Sequence, residues 1–101
     1  MDLPKRRDQL RAKVLERGVQ LRHRSLEDLL SVAESPDEEF VLDGIKAWIT
    51  TWVEEEQGAI KVIIQGNLQG PVIRAVELDG FRRNADGSLS DVPLKELIEW
   101  S

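Results

Sequence analysis

Few side chains in this sequence are of the types that do chemistry, and their spacing matches no familiar reactive site. His23 is the only histidine and cysteine is absent, so a zinc ion would need carboxylates for its other ligands, which is a poor donor set for that metal. No Gly-x-Ser-x-Gly sequence is present to expose a serine nucleophile. Because His23 lies between Arg22 and Arg24, we interpret it as part of a solvated basic segment.

One acidic turn resembles part of a calcium loop. Aligning Gly87 with the required glycine at the sixth position places Arg82 at position one and Pro93 at position twelve, where the loop needs Asp and Glu. The alignment therefore fails. The Asp-Gly pairs at 79–80 and 86–87 are interpreted as turns, since glycine supplies positive φ and aspartate bonds to its own backbone.

Nucleotide chemistry has no support in the sequence either. Residues 66–70 begin and end with glycine but lack the Gly-Lys-Ser/Thr of a phosphate loop, and no Gly-x-Gly-x-x-Gly occurs. An enzyme using paired carboxylates, with Asp79 and Asp86 or Glu77 as acid and base, is a third and minor hypothesis. We therefore predict a protein that is not an enzyme, with no catalytic residue, metal ligand or cofactor.

Three consecutive glutamates follow shortly after two tryptophans. Acidic runs are usually solvated surface, but aromatic rings beside charged residues are also typical of protein interfaces. If the segment is a strand, both tryptophans lie on the same face, either exposed or buried beneath a helix. The predicted contacts with a basic partner protein are Trp48, Trp52, Glu54, Glu55 and Glu56.

The charge of the chain is divided unevenly. Residues 1–25 hold eight Lys or Arg and three acids, a net charge of +5. Residues 26–101 hold six bases and sixteen acids, a net charge of −10, so the chain total is −5. This polarity is typical of a protein that meets another charged surface. The basic segment can equally pack on the acidic body of its own chain, or on a second copy in a homodimer.

The basic segment also supports an alternative function in binding nucleic acid. In a helix, bases four residues apart share a side and can contact phosphates together. However, residues 1–25 lack aromatic side chains for stacking on bases, and a nucleic acid repels a chain of net charge −5. The predicted phosphate contacts of this alternative are Arg6, Arg7, Arg11, Lys13 and Arg17.

Length and composition favour one small cytoplasmic domain over residues 1–101. Hydrophobic residues make up 41% and charged residues 33% of the chain, which is typical of a globular domain. The lack of cysteine excludes disulfides. No apolar stretch follows the basic start, as it would in a secretory signal, and no apolar run approaches the ~20 residues needed to cross a membrane. We therefore expect neither secretion nor membrane association.

Helical patterns occupy the N-terminal third. Residues 4–17 are strong helix formers with apolar residues on one side, and Gly18 is interpreted as the stop. Ser25 begins a capping pattern before a short second helix from about Leu26 to Ala33.

Residues 38–57 fit two structures. As a helix, their apolar residues recur at spacings of one, three and four. As strands, Asp43-Gly44 forms a hairpin turn and residues 45–53 alternate between two faces. The β-branched and aromatic content, Gly44 inside the segment, and three glutamates at the negative end of a helix dipole all favour strands.

Turn signals divide the rest of the chain into short strands. Expected turns lie at Gln57-Gly58, Asp79-Gly80 and Asp86-Gly87, and an expected loop is bracketed by Gly66-Asn67 and Gly70-Pro71. Expected strands cover residues 59–65, 72–78 and 81–84. Pro93 is typical of the start of a final helix. The predicted fold class is α+β, with N-terminal helices, an antiparallel β-meander of three to five strands and a short C-terminal helix.

These observations favour a non-enzymatic protein-interaction module. The acidic body has no chemistry of its own, so we expect it to bind a basic partner protein, as a small inhibitor or immunity-type protein would. The alternative remains a nucleic-acid-associated regulator that uses the basic N-terminal helix. The identity of the partner does not follow from the sequence.

Overall fold

The computed structural model describes residues 3–32, 37–42, 44–69 and 74–99. The helices of this part are α1 (Leu3–Arg22), α2 (Leu26–Val32) and α3 (Leu94–Ile98). The strands are β1 (Glu38–Leu42), β2 (Ile45–Glu56), β3 (Ala59–Gln69), β4 (Arg74–Arg83) and β5 (Leu89–Asp91). Four residues named in the turn and helix predictions, Ala33, Asp43, Gly70 and Pro71, lie outside the described residues.

The five strands form one antiparallel sheet in the order β1-β2-β3-β4-β5. Each strand therefore pairs with its neighbour in sequence, which is the predicted meander, and the α+β prediction is confirmed. The longest hairpin joins β2 to β3 through Gln57 and Gly58, whose φ angles of 44° and 84° are those of a two-residue turn that matches strand twist.

The strand interpretation of residues 38–57 is confirmed. Phe40 pairs with Ala47 and Leu42 with Ile45 across the first hairpin, and Gly44 has a φ of +83° that a helix interior would not allow. The β-branched and aromatic residues of β2 thus pack on a pleated surface, where they fit well.

The two faces of the sheet differ in cover. We call the face toward α1 and α2 the inner face and the opposite one the outer face. Apolar residues at alternate positions of β2 and β3 bury themselves on the inner face. There they meet Leu10, Val14, Leu21 and Leu29 of the two helices, and the members of this core on the strands are Ala47, Ile49, Ile60, Val62, Ile64, Leu68 and Phe81.

Two glycines let α1 lie close to the sheet. Gly66 faces the helix, and a Cβ there would lie 2.5 Å from Val14 Cγ2 and 3.0 Å from Leu10 Cδ1. Gly18 is buried against β4, where a Cβ would lie 2.0 Å from Asp79 Oδ2. The prediction that Gly18 ends the first helix at Arg17 is wrong, because this glycine provides close approach and the helix continues to Arg22.

The predicted start of a loop at Gly66-Asn67 and the predicted turn at Asp79-Gly80 are also wrong. Gly66-Asn67 lies inside β3, and Asp79-Gly80 lies inside β4, which joins the two strands predicted over 72–78 and 81–84 into one. Gly80 packs beneath α3, since a Cβ there would lie 3.0 Å from Leu97 Cδ2. The Asp86-Gly87 turn is confirmed: Ser88 N donates to Asp86 Oδ1 at 2.9 Å.

The capping pattern at the second helix is confirmed by Asp28 N, which donates to Ser25 Oγ at 3.2 Å.

Arg22, at the C-terminal end of α1, connects this helix to the sheet. Arg22 donates to Asp79 Oδ2 at 2.9 Å, to Gly80 O at 3.3 Å and to Asp91 Oδ1 at 3.2 Å. Its guanidinium also lies 5.0 Å from the centre of the Phe81 ring, within range of a cation–π contact.

Candidate functional site

Alternation along β2 places Trp48, Trp52, Glu54 and Glu56 on the outer face of the sheet. Glu55 is on the inner face, where it lines an open cleft together with Leu30 of α2 and Ile60 of β3. The structure thus places four of the five predicted partner contacts on one face, spread along β2, and Glu55 on the other, because neighbouring residues of a strand point to opposite faces.

The two tryptophans have different surroundings. Trp52 packs against the apolar cluster of Ile63, Val92 and Leu97, by which α3 and the segment before it cover part of the outer face. Trp48 lies beyond that cover, opposite Asn67 in the register of β2 and β3. Both rings are half-buried. Trp52 therefore belongs to the packing of α3, whereas Trp48 is not part of that cluster.

An ion cluster occupies the other end of the outer face. The register places Glu54, Lys61 and Arg82 in one row across β2, β3 and β4. Glu56 lies between the two bases, 3.0 Å from Lys61 Nζ and 3.2 Å from Arg82 Nε. Glu96 of α3 also contacts both, at 2.5 Å from Arg82 Nη2 and 3.7 Å from Lys61 Nζ. We call these five residues the outer ion cluster.

The outer ion cluster is a structural arrangement more than an open acidic patch. Two like charges on adjacent strands would repel each other, but Glu56 and Glu96 each bridge Lys61 and Arg82. The Lys61 side chain is only 11% exposed. Hydrogen bonds from Lys61 and Arg82 lower the pKa of Glu56, and the bond with Glu56 raises the pKa of Lys61. Glu96 thereby fastens α3 to the sheet.

The pKa of Glu56 predicts a dependence of stability on pH. Its folded-state pKa lies below the ordinary 4.5, so its contribution is complete above that value and is lost as the pH falls through the lowered pKa. We expect Glu56→Gln to destabilise the protein at pH 6, and the difference from the wild type to shrink below about pH 4.5. Urea unfolding between pH 6 and pH 3 measures it; a difference that stays constant over that range would contradict the prediction.

The predicted phosphate contacts do not form one open row. Arg7 Nε lies 3.5 Å from Glu77 Oε1, and Arg17 forms an ion pair with Glu38. Lys13 Nζ lies 5.4 Å from the centre of the Phe40 ring. Arg11 is exposed and makes no ion pair among the described residues, and the side chain of Arg6 lies outside the described part. Much of the basic helix is thus matched by the acidic body of its own chain.

The three carboxylates considered for acid–base chemistry also have structural partners. Glu77 pairs with Arg7 and Asp79 with Arg22, both under α1. Asp86 accepts bonds from the backbone and side chain of Ser88 in an exposed turn. The topology therefore places Glu77 and Asp79 on the inner face and Asp86 in the turn beyond β4.

Sequence reasoning missed Arg22, Lys61, Arg82 and Glu96. Lys61 and Arg82 become neighbours only through the register of β3 and β4, and Glu96 reaches them from a helix fourteen residues beyond Arg82. Cross-strand pairing of Glu54 with Lys61 could have been found, since the two-residue turn at 57–58 fixes that register.

No family model, curated protein or solved structure matches this chain. Within the described ranges, no group of three or more His, Asp or Glu side chains is placed to hold a metal ion. None of the helices described above is long and apolar enough to cross a membrane. The candidate site therefore rests on the geometry of the outer face.

Proposed function

We propose that this chain is a non-enzymatic protein-interaction module that binds a basic partner protein through the outer face of its sheet. A small inhibitor or immunity-type protein is one concrete form of such a module. The observation that carries the proposal is the unequal cover of the sheet. Helices α1 and α2 cover most of the inner face, whereas the outer face has the half-buried Trp48 beside Val41, which is 67% exposed.

The charge of the surface supports a basic partner. Arg7, Arg17 and Arg22 of α1 form ion pairs with Glu77, Glu38 and Asp79 of the same chain. The charges within each pair cancel, so the net charge of −5 comes from other acidic residues. Near the outer face, Glu54 keeps an exposed carboxylate although it lies 3.6 Å from Lys61. Complementary charge of this kind steers encounter with a positively charged protein.

The same pairs weigh against the nucleic-acid alternative. A phosphate backbone would have to displace Glu77 from Arg7 and Glu38 from Arg17 before it could use those bases. We therefore expect no retardation of duplex DNA or single-stranded RNA in a mobility-shift titration at low salt, where phosphate contacts are strongest. Retardation that disappears with rising salt would favour the alternative over the proposal.

Substitution of Trp48 tests the proposed function. A partner isolated by affinity capture on the immobilised chain is purified, and its affinity is measured for the wild type and for Trp48→Ala. We expect the substitution to weaken binding at least tenfold, because aromatic side chains at the centre of an interface commonly contribute about 2 kcal/mol or more. Leu30→Ala, an exposed apolar residue of α2, is the matched control and should leave affinity within about twofold.

The charge component is tested separately by Glu54→Lys, which should slow association and reduce its dependence on salt. Capture of nothing above background, or equal affinities for the Trp48 and Leu30 variants, would remove the support for this function.

A further inference from the structure

Strand β4 is longer than the strand beside it. β3 pairs with β4 from Arg74 to Arg83, whereas β5 pairs only with the last three residues of β4. One further bond, from Val92 N to Gly80 O at 3.2 Å, ends this pairing. Among the described residues, none pairs with the same edge of β4 between positions 74 and 79. Those residues form a free edge about 20 Å long.

The hydrogen-bonding groups of this edge can be assigned. In an antiparallel strand, the N–H and C=O of one residue point to the same side, and the side alternates along the chain. Gly80 O accepts its bond from the β5 side, so Leu78 and Val76 direct their backbone groups to that side too. Neither of them has a hydrogen-bond partner there in the described part of the chain. A row of unpaired N–H and C=O groups is a template for a further strand.

An apolar side of α1 overhangs the same edge. Arg7 and Arg22 of the helix contact Glu77 and Asp79 of β4. Lys13 and Arg17 contact β1 at the opposite side of the sheet. Successive residues of a helix are about 100° apart around its axis, so Leu15 and Arg22, seven residues apart, differ in direction by about 20°. Leu15 therefore projects on the β4 side of the helix, as Arg22 does.

Leu15 and Val19 form a short apolar ridge on this side of the helix. Leu15 is 43% exposed and Val19 is 56% exposed, and their spacing of four residues places them one turn apart. Neither belongs to the buried core. Leu15 is the ridge residue nearer the sheet, and a strand added to β4 would direct alternate side chains beneath it, so part of the exposed apolar surface would be covered together with the unpaired backbone.

We propose that the free edge of β4 and the Leu15–Val19 ridge take up an extended segment of a basic partner protein as a sixth strand of the sheet. The inference rests on the proposed function and deepens it, because it adds a second contact with the same partner, at the β4 edge, to the one proposed at Trp48. The segment has apolar residues at alternate positions facing the ridge. Its bases complement Asp8, which lies seven residues before Leu15 on the same side of α1, and Asp91 at the end of the edge, whose side chain is 88% exposed although it pairs with Arg22.

Charge also decides against a second copy of this chain as the occupant. Antiparallel pairing of two β4 edges about a twofold axis near Glu77 would bring Glu77 of both copies onto one face. Two chains of net charge −5 would approach each other, and like charges at adjacent positions of a sheet are destabilising. A basic segment from another protein meets neither obstacle.

The probe is a random linear dodecapeptide library displayed on phage and selected against the full chain. The tightest binder is then synthesised with a fluorescent label for anisotropy titration. Val76→Pro removes an N–H that points outward from β4 and leaves the bonds with β3 in place, which an edge strand tolerates. Val41→Pro is the matched control at the other edge of the sheet, since Val41 of β1 also points its N–H away from its neighbour.

We expect Val76→Pro to weaken peptide binding at least tenfold and Val41→Pro to change it less than twofold. Leu15→Glu, at an exposed position that should not affect folding, is expected to weaken binding to a similar extent as Val76→Pro. In the wild type, amide exchange at Val76 and Leu78 should slow when the peptide binds. Unchanged amide exchange at Val76 and Leu78 in the wild type would overturn the inference, and this measurement does not depend on how the proline variants fold. Equal effects of the two proline variants on peptide binding would also overturn it.

The outcomes also separate this inference from the proposed function. If the captured partner depends on Trp48 but tolerates Val76→Pro and Leu15→Glu, the outer face is the docking site and the edge inference is wrong. If the wild type binds neither a captured protein nor any selected peptide, both are wrong.

Discussion

Arg22→Met is expected to lower the free energy of unfolding by about 2–4 kcal/mol. The guanidinium donates to Asp79, Gly80 O and Asp91 and lies on the Phe81 ring, and the hydrogen bond with Asp79 raises its own pKa. Methionine keeps much of the side-chain length but leaves the Asp79 carboxylate, only 15% exposed, without its cation. Urea unfolding followed by tryptophan fluorescence measures the change.

A neighbouring arginine provides the control for Arg22. Arg24 lies 4.0 Å from Asp28, and both side chains are exposed, so Arg24→Met should change stability by no more than about 0.5 kcal/mol. Adding Asp79→Asn to Arg22→Met should recover part of the loss, since no unpaired carboxylate then remains. Equal stabilities for the Arg22 and Arg24 variants would contradict the role assigned to Arg22.

Gly66→Ala is expected to destabilise the protein by about 1–3 kcal/mol. The added methyl group would lie 2.5 Å from Val14 Cγ2, so α1 must shift or Val14 must change its rotamer within a closely packed core. Val14→Ala alone removes buried methyl groups and is expected to cost about 2 kcal/mol. The same urea unfolding assay applies to both variants.

The double variant Gly66→Ala/Val14→Ala should lose less stability than the two single variants together, because the smaller side chain makes room for the new methyl group. A coupling of about 0.5 kcal/mol or more is expected for residues in contact. Strict additivity would mean that the close approach of α1 to β3 is not what requires glycine at position 66.

The turn at Gln57-Gly58 was predictable, whereas three other glycine signals were interpreted wrongly for one physical reason. Gly58 is needed for its positive φ, a local property that a two-residue pattern between alternating strands indicates. Gly18, Gly66 and Gly80 are needed because another element packs against them. Close approach depends on residues distant in sequence, and nothing near these glycines distinguishes it from a turn.

The candidate site was predictable to the same limited degree. Alternation along β2 correctly predicted that Trp48, Trp52 and Glu54 share a face, once the strand interpretation was chosen. It also implied that Glu55 lies on the other face, although all three glutamates were grouped by their adjacency in sequence. The partners of Glu54 and Glu56 required the register of three strands, which hydrophobic patterning specifies only after the correct turns are known.

The contact between Arg22 and Asp79 spans 57 residues of sequence, and α1 is synthesised before the strand that neutralises it. At the usual translation speed of about 5–20 residues per second, this interval lasts roughly 3 to 11 seconds. During that time Arg7 and Arg22 lack Glu77 and Asp79, whereas Glu38, the partner of Arg17, is made earlier. The charge of the helix is therefore matched in steps, and the pairs with β4 form only after that strand has been synthesised.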